Sequence, residues 1–333
     1  MAKKIPYGLT DYFRIVTEDF YYVDKTKYIE DLEKTAAFLF LIRPRRFGKS
    51  LFLNMLNCYY DVKYADRFEE LFGNQYIGKH PTAEQGKYLV LRFNFSMVRA
   101  TDDKLEAAFN RHISLETAYF ASVYASYFKP DFQEQLKLIP EAAGRLEYIC
   151  LCAKEQGLSI YLLIDEYDNF TNTILSSKGN DVYHSLTHDS GFYRSFFNVV
   201  KGVTTGAEAP VKRMFITGVS PVTLDDVTSG FNIGTNITTD ERFNSMVGFS
   251  ESELHEMLSY YQSEGMLVDS IDDIVRMMKP WYDNYCFAKE CIGKTMYNSD
   301  MVLYFLNNYL QRKRPPSEMV DRNIRTDYSK LRH

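Results

Sequence analysis

The sequence contains a basic loop and a pair of adjacent carboxylates of the kind that together bind and cleave nucleotide phosphates. The loop ends in Gly48-Lys49-Ser50 and follows an apolar run, whereas Asp165-Glu166 end a second apolar run far along the chain. In a P-loop, backbone N–H groups at a helix N-terminus hold the phosphate, the lysine neutralises its outer oxygens, and Ser or Thr binds Mg²⁺. The pattern therefore assigns Lys49 to the phosphates and Ser50 to Mg²⁺.

The loop departs from the usual G-x-x-x-x-G-K-[ST] signature, because Arg43 stands where the first glycine is expected. A Gly-Lys-Ser tripeptide alone is a weak signal that any basic loop after a strand can carry. Here an apolar strand precedes the loop and an amphipathic helix follows it, which favours nucleotide binding. The residues predicted to contact the nucleotide are Arg43, Pro44, Arg45, Arg46, Phe47, Gly48, Lys49, Ser50 and Leu51.

The acidic pair has the Walker B pattern, in which a run of apolar residues is followed by two acids. We predict that Asp165 binds Mg²⁺ opposite Ser50 and that Glu166 orients or deprotonates the water that attacks the γ-phosphate. The alternative is that the two acids only end a strand in solvent. A strand that ends at Thr217, with Ser220 shortly after it, offers two candidates for a catalytic sensor of the γ-phosphate.

These groups need strands and helices that bring them together. Continuous apolar runs predict buried strands, and apolar residues four apart predict helix faces. The predicted strands are 38–42, 88–95, 159–164 and 213–217. Helices are predicted from Ser50 onward, over 25–34 with Asp24 as N-cap, between 101 and 156, over 192–203, and over 251–263, 271–278 and 299–311. Ser250 and Glu253 predict a capping box, residues 61–86 a connector, and no strand is predicted after Val247.

Composition limits the class of protein. The 333 residues carry 39 basic and 44 acidic side chains, a net charge of −5, so no overall positive field attracts nucleic acid. Five cysteines without metal-like spacing predict reduced thiols in a cytoplasmic protein. No apolar segment has the length of a membrane span, and the N-terminus has no hydrophobic signal region.

Two further groups of residues could have a binding role, but each also has a simpler structural explanation. Tyr22, Asp24 and Lys25 precede the loop, as segments that cover a nucleotide base do, although a capped surface helix explains them equally well. His184 and His188 are spaced like metal ligands on one helix face but lack a third candidate ligand nearby.

Taken together, the motifs resemble those of the AAA-ATPase-like family of bacterial proteins. The shared segments are Y-V-D-K-T from Tyr22, R-P-R-R-F-G-K-S from Arg43, L-I-D-E-Y-D from Leu163, F-I-T-G-V-S from Phe215, W-Y-D-N-Y-C-F from Trp281 and Y-N-S-D from Tyr297. On this resemblance, the arginine in place of the first P-loop glycine is a family trait. The resemblance implies a P-loop module that uses ATP and Mg²⁺, commonly followed by a PD-(D/E)XK nuclease-type domain.

We therefore predict an α/β fold of the P-loop NTPase class over residues 1–245, AAA-like, with an additional strand in a central parallel sheet. A helical lid or accessory domain is predicted over 246–333. The tail from Tyr328 to His333 cannot carry a nuclease triad, which favours a truncated product over a protein that naturally lacks the nuclease.

Three functions remain open at this point. The first is an ATPase that couples nucleotide state to an attached or partner effector. The second is a nucleotide-dependent switch without hydrolysis, and the third, by family analogy alone, is a DNA-processing partner. The oligomeric state and the identity of any arginine finger also stay open.

Overall fold

The structure, a computed structural model, describes residues 2–98, 104–188, 191–220 and 234–321. It is an α/β protein in which five strands form one parallel sheet in the order β2-β3-β4-β1-β5. The strands are β1 (Phe38–Ile42), β2 (Leu89–Asn94), β3 (Ile160–Asp165), β4 (Val211–Gly218) and β5 (Thr235–Asn236). The central parallel sheet is therefore confirmed, with β1 to β4 close to the four predicted strands.

The position of β4 between β1 and β3 decides where the functional groups meet. On one side β4 pairs with β1 as far as Ile42 opposite Gly218, and on the other side it pairs with β3. Because the strands are parallel, the carboxyl ends of all three lie at the same edge of the sheet. The loop of residues 43–48, called the phosphate loop here after its predicted role, therefore emerges beside Asp165 and Thr217.

Helices cover both faces of the sheet. Those before β3 are α1 (Tyr12–Thr17), α2 (Tyr28–Thr35), α3 (Lys49–Tyr60), α4 (Phe68–Phe72), α5 (Tyr76–Lys79), α6 (Leu105–Val123), α7 (Phe132–Lys137) and α8 (Ala142–Glu155). Those after it are α9 (Asn169–Lys178), α10 (Asn180–Thr187), α11 (Phe192–Thr204), α12 (Glu251–Ser263), α13 (Ile271–Tyr282) and α14 (Ser299–Arg312).

Alternate residues of the central strands enter two different cores, which explains why these strands are apolar throughout. Leu162 and Ile164 of β3 pack in one core with residues of α6, α8 and α11. Tyr161 and Leu163 pack on the opposite face with α3. This second core fixes α3 against the sheet, with its first turn at the phosphate loop.

The residues after the sheet are helical and have a core of their own. Helices α12, α13 and α14 enclose an apolar cluster that includes Leu254, Met278 and Phe305. Between residues 247 and 321 the structure contains no strand, as predicted, and backbone pairing there is limited to isolated bridges. The domain boundary at 246 and the role of this segment as a lid stay predictions.

The predicted capping box at the start of α12 is confirmed. The Ser250 hydroxyl accepts a hydrogen bond from the Glu253 backbone N–H, and the Glu253 carboxylate accepts one from the Ser250 N–H. This reciprocal pair fixes the direction in which the chain enters α12.

The predicted N-cap at Asp24 is wrong. Helix α2 begins only at Tyr28. Asp24 Oδ1 accepts from the backbone N–H of Thr26 at 2.8 Å, and Oδ2 accepts from the N–H of Tyr76 at 2.6 Å. Such a local turn gives the backbone an alternative to the helix and delays its start.

The connector predicted over 61–86 has more structure than expected. It contains a 3₁₀ helix (Val62–Arg67) as well as α4 and α5, and Leu71, Phe72 and Ile77 are buried in the core with α3. The segment therefore supports the helix that carries Lys49.

Three further observations complete the description. The five cysteines are unpaired. In the part of the chain that the structure describes, none of the helices combines the length and apolar character needed to cross a bilayer. The helix start expected near Asp102 and the tail from Tyr328 lie outside the described residues.

Candidate functional site

One buried carboxylate joins the ends of three elements at the sheet edge. Asp165, the last residue of β3, is 3% exposed. Its Oδ2 accepts from Ser50 Oγ in the first turn of α3 at 2.6 Å, and its Oδ1 accepts from Thr217 Oγ1 near the end of β4 at 2.6 Å. The structure therefore brings together three of the residues predicted to act at the site.

The Ser50–Asp165 pair fits a small hard cation. Mg²⁺ usually takes one or two carboxylates, with waters and substrate phosphates as its remaining ligands. Nowhere in the described residues do three or more His, Cys, Asp or Glu side chains form a metal cluster. The His184–His188 pair, whose Nδ1 atoms are 3.2 Å apart, gains no third ligand of these types among them.

The side chain of Lys49 bonds back to the start of the phosphate loop. Gly48 adopts a left-handed conformation with φ 89° directly before α3, which favours glycine there. The Lys49 side chain turns back, and its Nζ donates to the carbonyl oxygens of Arg43 at 3.0 Å and Pro44 at 2.9 Å. Burial lowers the pKa of Lys49, and the nearby carboxylate of Glu166 opposes that shift.

Glu166 is strained and desolvated. Its φ of 49° places a non-glycine residue in the left-handed region, a conformation that clusters at functional sites. Burial raises the pKa of its carboxyl, with a further increase from the neighbouring Asp165 and an opposing effect from Lys49. Asn169 Nδ2 donates to Glu166 Oε2 at 3.0 Å, which orients the carboxylate.

The turn after β4 is held by an acid that the sequence analysis left without a role. Asp168 is fully buried, and its carboxylate accepts from the backbone N–H groups of Val219 at 3.1 Å and Ser220 at 2.6 Å. Tyr167 adds a hydrogen bond from its hydroxyl to the Ser220 carbonyl. Ser220 is thus placed through its backbone, whereas Thr217 reaches Asp165 with its side chain.

The side chain of Arg43 points out of the loop and into the core. It is 1% exposed, and its guanidinium donates to the carbonyls of Ile42, Thr238 and Phe243 and stacks on the Phe287 ring at 4.1 Å. Burial lowers the pKa of Arg43 to about 10. In this conformation Arg43 contributes to the site through its carbonyl, which accepts from Lys49.

The remaining loop residues divide between solvent and the C-terminal segment. Arg45 is exposed and Arg46 lies at the cavity wall, where its Nη1 donates to Asp300 at 3.0 Å. Phe47 is buried edge-on against Tyr285 at a centroid distance of 4.7 Å.

These C-terminal supports were missed as functional residues by sequence reasoning. Their signal was present in the W-Y-D-N-Y-C-F and Y-N-S-D segments, which supply Tyr285, Phe287, Ser299 and Asp300. Their contact with the loop could not be deduced from spacing along the chain.

A cavity of ≈ 340 Å³ opens beside the loop, within the size range of small-molecule sites. The residues that line it from the loop and the end of β3 include Gly48, Lys49, Ser50 and Glu166. Its apolar and aromatic lining includes Leu9, Tyr21, Tyr22, Val23, Phe249, Met257 and Leu303.

Two of the three residues predicted to cover a base, Tyr22 and Lys25, line this cavity, whereas Asp24 does not. Lys25 Nζ donates to both carboxylate oxygens of Glu253, at 2.6 and 2.7 Å. Burial lowers the pKa of Lys25, and Glu253 opposes the shift. This ion pair, between the buried Lys25 and the partly buried Glu253, joins the N-terminal segment to α12 at the cavity.

Comparison with known proteins gives two matches. The sequence model of a family described as predicted AAA-ATPase matches residues 6–228. An uncharacterized protein in the vnfD 5′ region of Azotobacter chroococcum mcd 1 is 26% identical over 312 residues, which cover 91% of this chain and 52% of the relative. The chain thus spans about half the length of that curated relative. The family match contains the loop and both acids, whereas α12, α13 and α14 follow it.

Proposed function

The chain belongs to the family of predicted AAA-ATPases, and from that premise we propose that it binds ATP with Mg²⁺ beside Gly48 and Lys49 and hydrolyses it. One observation carries the proposal: Ser50 and Thr217 contact the two carboxylate oxygens of Asp165 directly next to the phosphate loop. A lysine and free backbone N–H groups at a helix N-terminus are what a phosphate needs. A carboxylate and a hydroxyl beside them are what its cation needs. The strand order, with β4 between β1 and β3, supports the additional-strand class of P-loop proteins.

In this proposal, binding and cation coordination fall to the loop and β3. Lys49 and the backbone of Gly48 bind the phosphates, and Ser50 and Asp165 would hold Mg²⁺. The cation, when bound, supplies positive charge that neutralises the phosphate oxygens. Phosphate oxygens offer Lys49 better acceptors than the two loop carbonyls it now uses, because a charge-assisted hydrogen bond is the stronger one.

Catalysis is assigned to the acid that follows the metal ligand. Glu166 orients and deprotonates the attacking water, and its raised pKa makes it a better proton acceptor near neutral pH than an exposed glutamate. Thr217 and Ser220 report the γ-phosphate, the first through Asp165 and the second through the turn that Asp168 holds.

The apolar and aromatic lining of the cavity is the proposed contact surface for the base and ribose. Tyr21, Val23 and Phe249 offer ring and aliphatic surface there, and Lys25 adds a polar group at the wall. The base would therefore lie between the N-terminal segment and α12, so that nucleotide contacts both parts of the chain.

The wider role is proposed on the same basis. In this proposal residues 246–333 act as a lid that passes the nucleotide state to an effector. By family analogy that effector is a nuclease-type domain or a DNA-bound partner, and the protein works in the cytoplasm, with oligomerisation possible. The rival function is a switch that binds nucleotide without hydrolysing it.

Calorimetric titration with Mg²⁺·ATP and a steady-state phosphate-release assay test the proposal. We expect the parent chain to bind ATP and release phosphate, and Lys49→Ala to bind ATP roughly 10- to 100-fold more weakly, because hydrogen bonds to charged groups contribute about 1.5–3 kcal/mol each. Lys137→Ala is the matched control, since Lys137 is exposed on α7. Parent-like ATP affinity in Lys49→Ala would remove the P-loop assignment, and binding without turnover would favour the switch.

A further inference from the structure

Arg46 lies between two carboxylates at the wall of the nucleotide cavity. Its Nη1 is 3.0 Å from Asp300 Oδ2 and 3.6 Å from Asp321 Oδ2. Both Arg46 and Asp300 line the cavity, together with Lys49 and Ser50. Arg46 also adopts a left-handed backbone conformation, with φ 68°, that is unfavourable for a non-glycine residue.

Of the two carboxylates, Asp321 is buried and Asp300 is partly buried. Asp321 is 4% exposed and accepts a hydrogen bond from the Tyr7 hydroxyl. Burial raises the pKa of Asp300, the Arg46 guanidinium opposes that shift, and the charge of Asp321 adds to it. The Arg46 guanidinium therefore lies close to two anions that are partly or fully desolvated, an arrangement sensitive to a third anion placed nearby.

The same segment also holds the backbone of the loop. The N–H of Asp300 and the hydroxyl of Ser299 each donate to the Arg46 carbonyl at 3.3 Å, and Asn298 Nδ2 donates to the Arg45 carbonyl at 3.4 Å. These donors belong to the N-terminus of α14. A change in the position of Arg46 would therefore displace the N-terminus of α14, which is bonded to it.

We propose that Asp300 is a specificity-determining residue of the nucleotide site, which competes with the outermost phosphate for the Arg46 guanidinium and so sets the preference between ATP and ADP. The inference rests on the proposed nucleotide-binding function. It also gives α14 a means of responding to the γ-phosphate, because Arg46 joins that helix to the loop.

The chemistry of the competing groups supports this assignment. A guanidinium pairs with a carboxylate or a phosphate in the same forked geometry, so either anion can satisfy Arg46. Arg43 is committed to carbonyls in the core and Arg45 is exposed, whereas Arg46 is paired with an acid that shares its cavity. ATP places one more phosphate in the site than ADP and therefore competes more strongly for Arg46.

The test is a double-mutant cycle on nucleotide affinity, measured by calorimetry with Mg²⁺·ATP and Mg²⁺·ADP. We expect Asp300→Asn to tighten ATP binding by roughly 5- to 10-fold and ADP binding by less than about 2-fold, in the range of ordinary coupling between sites. In the Arg46→Ala background the same substitution should change neither affinity. The control Asp272→Asn makes the same charge change at an exposed position of α13 and should leave both affinities unchanged.

Each outcome distinguishes one explanation. Equal tightening of ATP and ADP, or tightening that persists in Arg46→Ala, means simple repulsion by Asp300 and overturns the inference while the nucleotide site stands. A parent chain that binds neither nucleotide overturns both proposals. Circular dichroism checks that each variant folds, and if Asp300→Asn does not, Asp321→Asn should shift the ATP/ADP ratio in the same direction by a smaller factor, because its carboxylate is farther from Arg46.

Discussion

The two sides of the candidate site are built in different ways. On one side Asp165, at the end of β3, is joined by hydrogen bonds of 2.6 Å to Thr217 near the end of the adjacent strand and to Ser50 in the first turn of α3. On the other side the loop is held by residues far away in sequence, with Arg43 bonded to Phe243 and Arg46 to Asp300. The chemistry thus depends on the order of the strands, whereas the shape of the loop depends on the C-terminal half of the chain.

The comparison explains why the loop needs no glycine at its first position. The positive φ angles of the loop fall at Arg46 and Gly48 and not at Arg43, so a side chain at 43 meets no backbone restriction. That side chain leaves the loop and fills the core next to Phe287, while its carbonyl faces Lys49. The arginine at position 43 therefore links the phosphate loop to the C-terminal segment.

The largest effect is expected on the rate of ATP hydrolysis, from a substitution at the end of β3. Glu166→Gln keeps the size and hydrogen-bonding capacity of the side chain but loses the proton acceptor, so phosphate release should fall by roughly 10²- to 10⁴-fold, the usual effect of removing a general base. ATP affinity should change little. Steady-state turnover and calorimetry on the same samples measure both quantities.

The pH profile sharpens this prediction. Burial raises the pKa of Glu166, and a base works only when deprotonated, so the parent's rate should fall as pH drops through a value above that of an ordinary glutamate. Glu166→Gln should lack this acid limb. A variant that hydrolyses ATP as fast as the parent would show that Glu166 is not the base. Asp165→Asn is the contrasting variant, in which Mg²⁺·ATP binding and turnover should fall together.

Where the C-terminal segment holds the loop, a substitution should lower the stability of the fold and not the rate of the chemical step. Arg43→Ala leaves a cavity beside Phe287 and removes the donor from three carbonyls, which should lower the free energy of unfolding by about 3 kcal/mol. The exposed neighbour Arg45 is the matched control, since Arg45→Ala should stay within about 0.5 kcal/mol of the parent. Urea unfolding followed by circular dichroism gives both values. Equal stability of the two variants would mean that the C-terminal anchoring of the loop contributes nothing.

The groups at the strand ends could be predicted from the sequence, whereas the contacts of the loop with the C-terminal segment could not. Asp165 and Thr217 were identifiable because they lie at the ends of buried strands, and parallel strands bring such ends to one edge. Ser50 was identifiable because it lies in the first turn of a helix that follows such a strand and a basic loop. The contacts of Phe47 with Tyr285 and of Arg46 with Asp300 cross more than two hundred residues, and no local periodicity encodes them. The N-cap assigned to Asp24 was wrong for a partly related reason, because one carboxylate oxygen holds the local turn at Thr26 and the other accepts from the distant N–H of Tyr76.

The smallest effect tests whether the fit of the loop against the C-terminal segment is tight. Gly248 has φ 80°, and a Cβ there would lie 2.8 Å from Cδ1 of the buried Phe47 and 3.0 Å from the Tyr297 carbonyl. Gly206 has φ 99°, but a Cβ there would meet nothing within 4 Å.

Alanine in a left-handed conformation costs about 1–2 kcal/mol by itself, so Gly206→Ala measures the cost of the backbone conformation alone. Gly248→Ala should be less stable than Gly206→Ala by about 1 kcal/mol, because a buried ring has little room to move. It should also weaken ATP binding, because its Cβ would press on Phe47, which is a residue of the phosphate loop, whereas a Cβ at Gly206 contacts no such residue. Thermal unfolding and ATP titration of the two variants measure the difference, and equal losses in both would show that the loop tolerates displacement of Phe47.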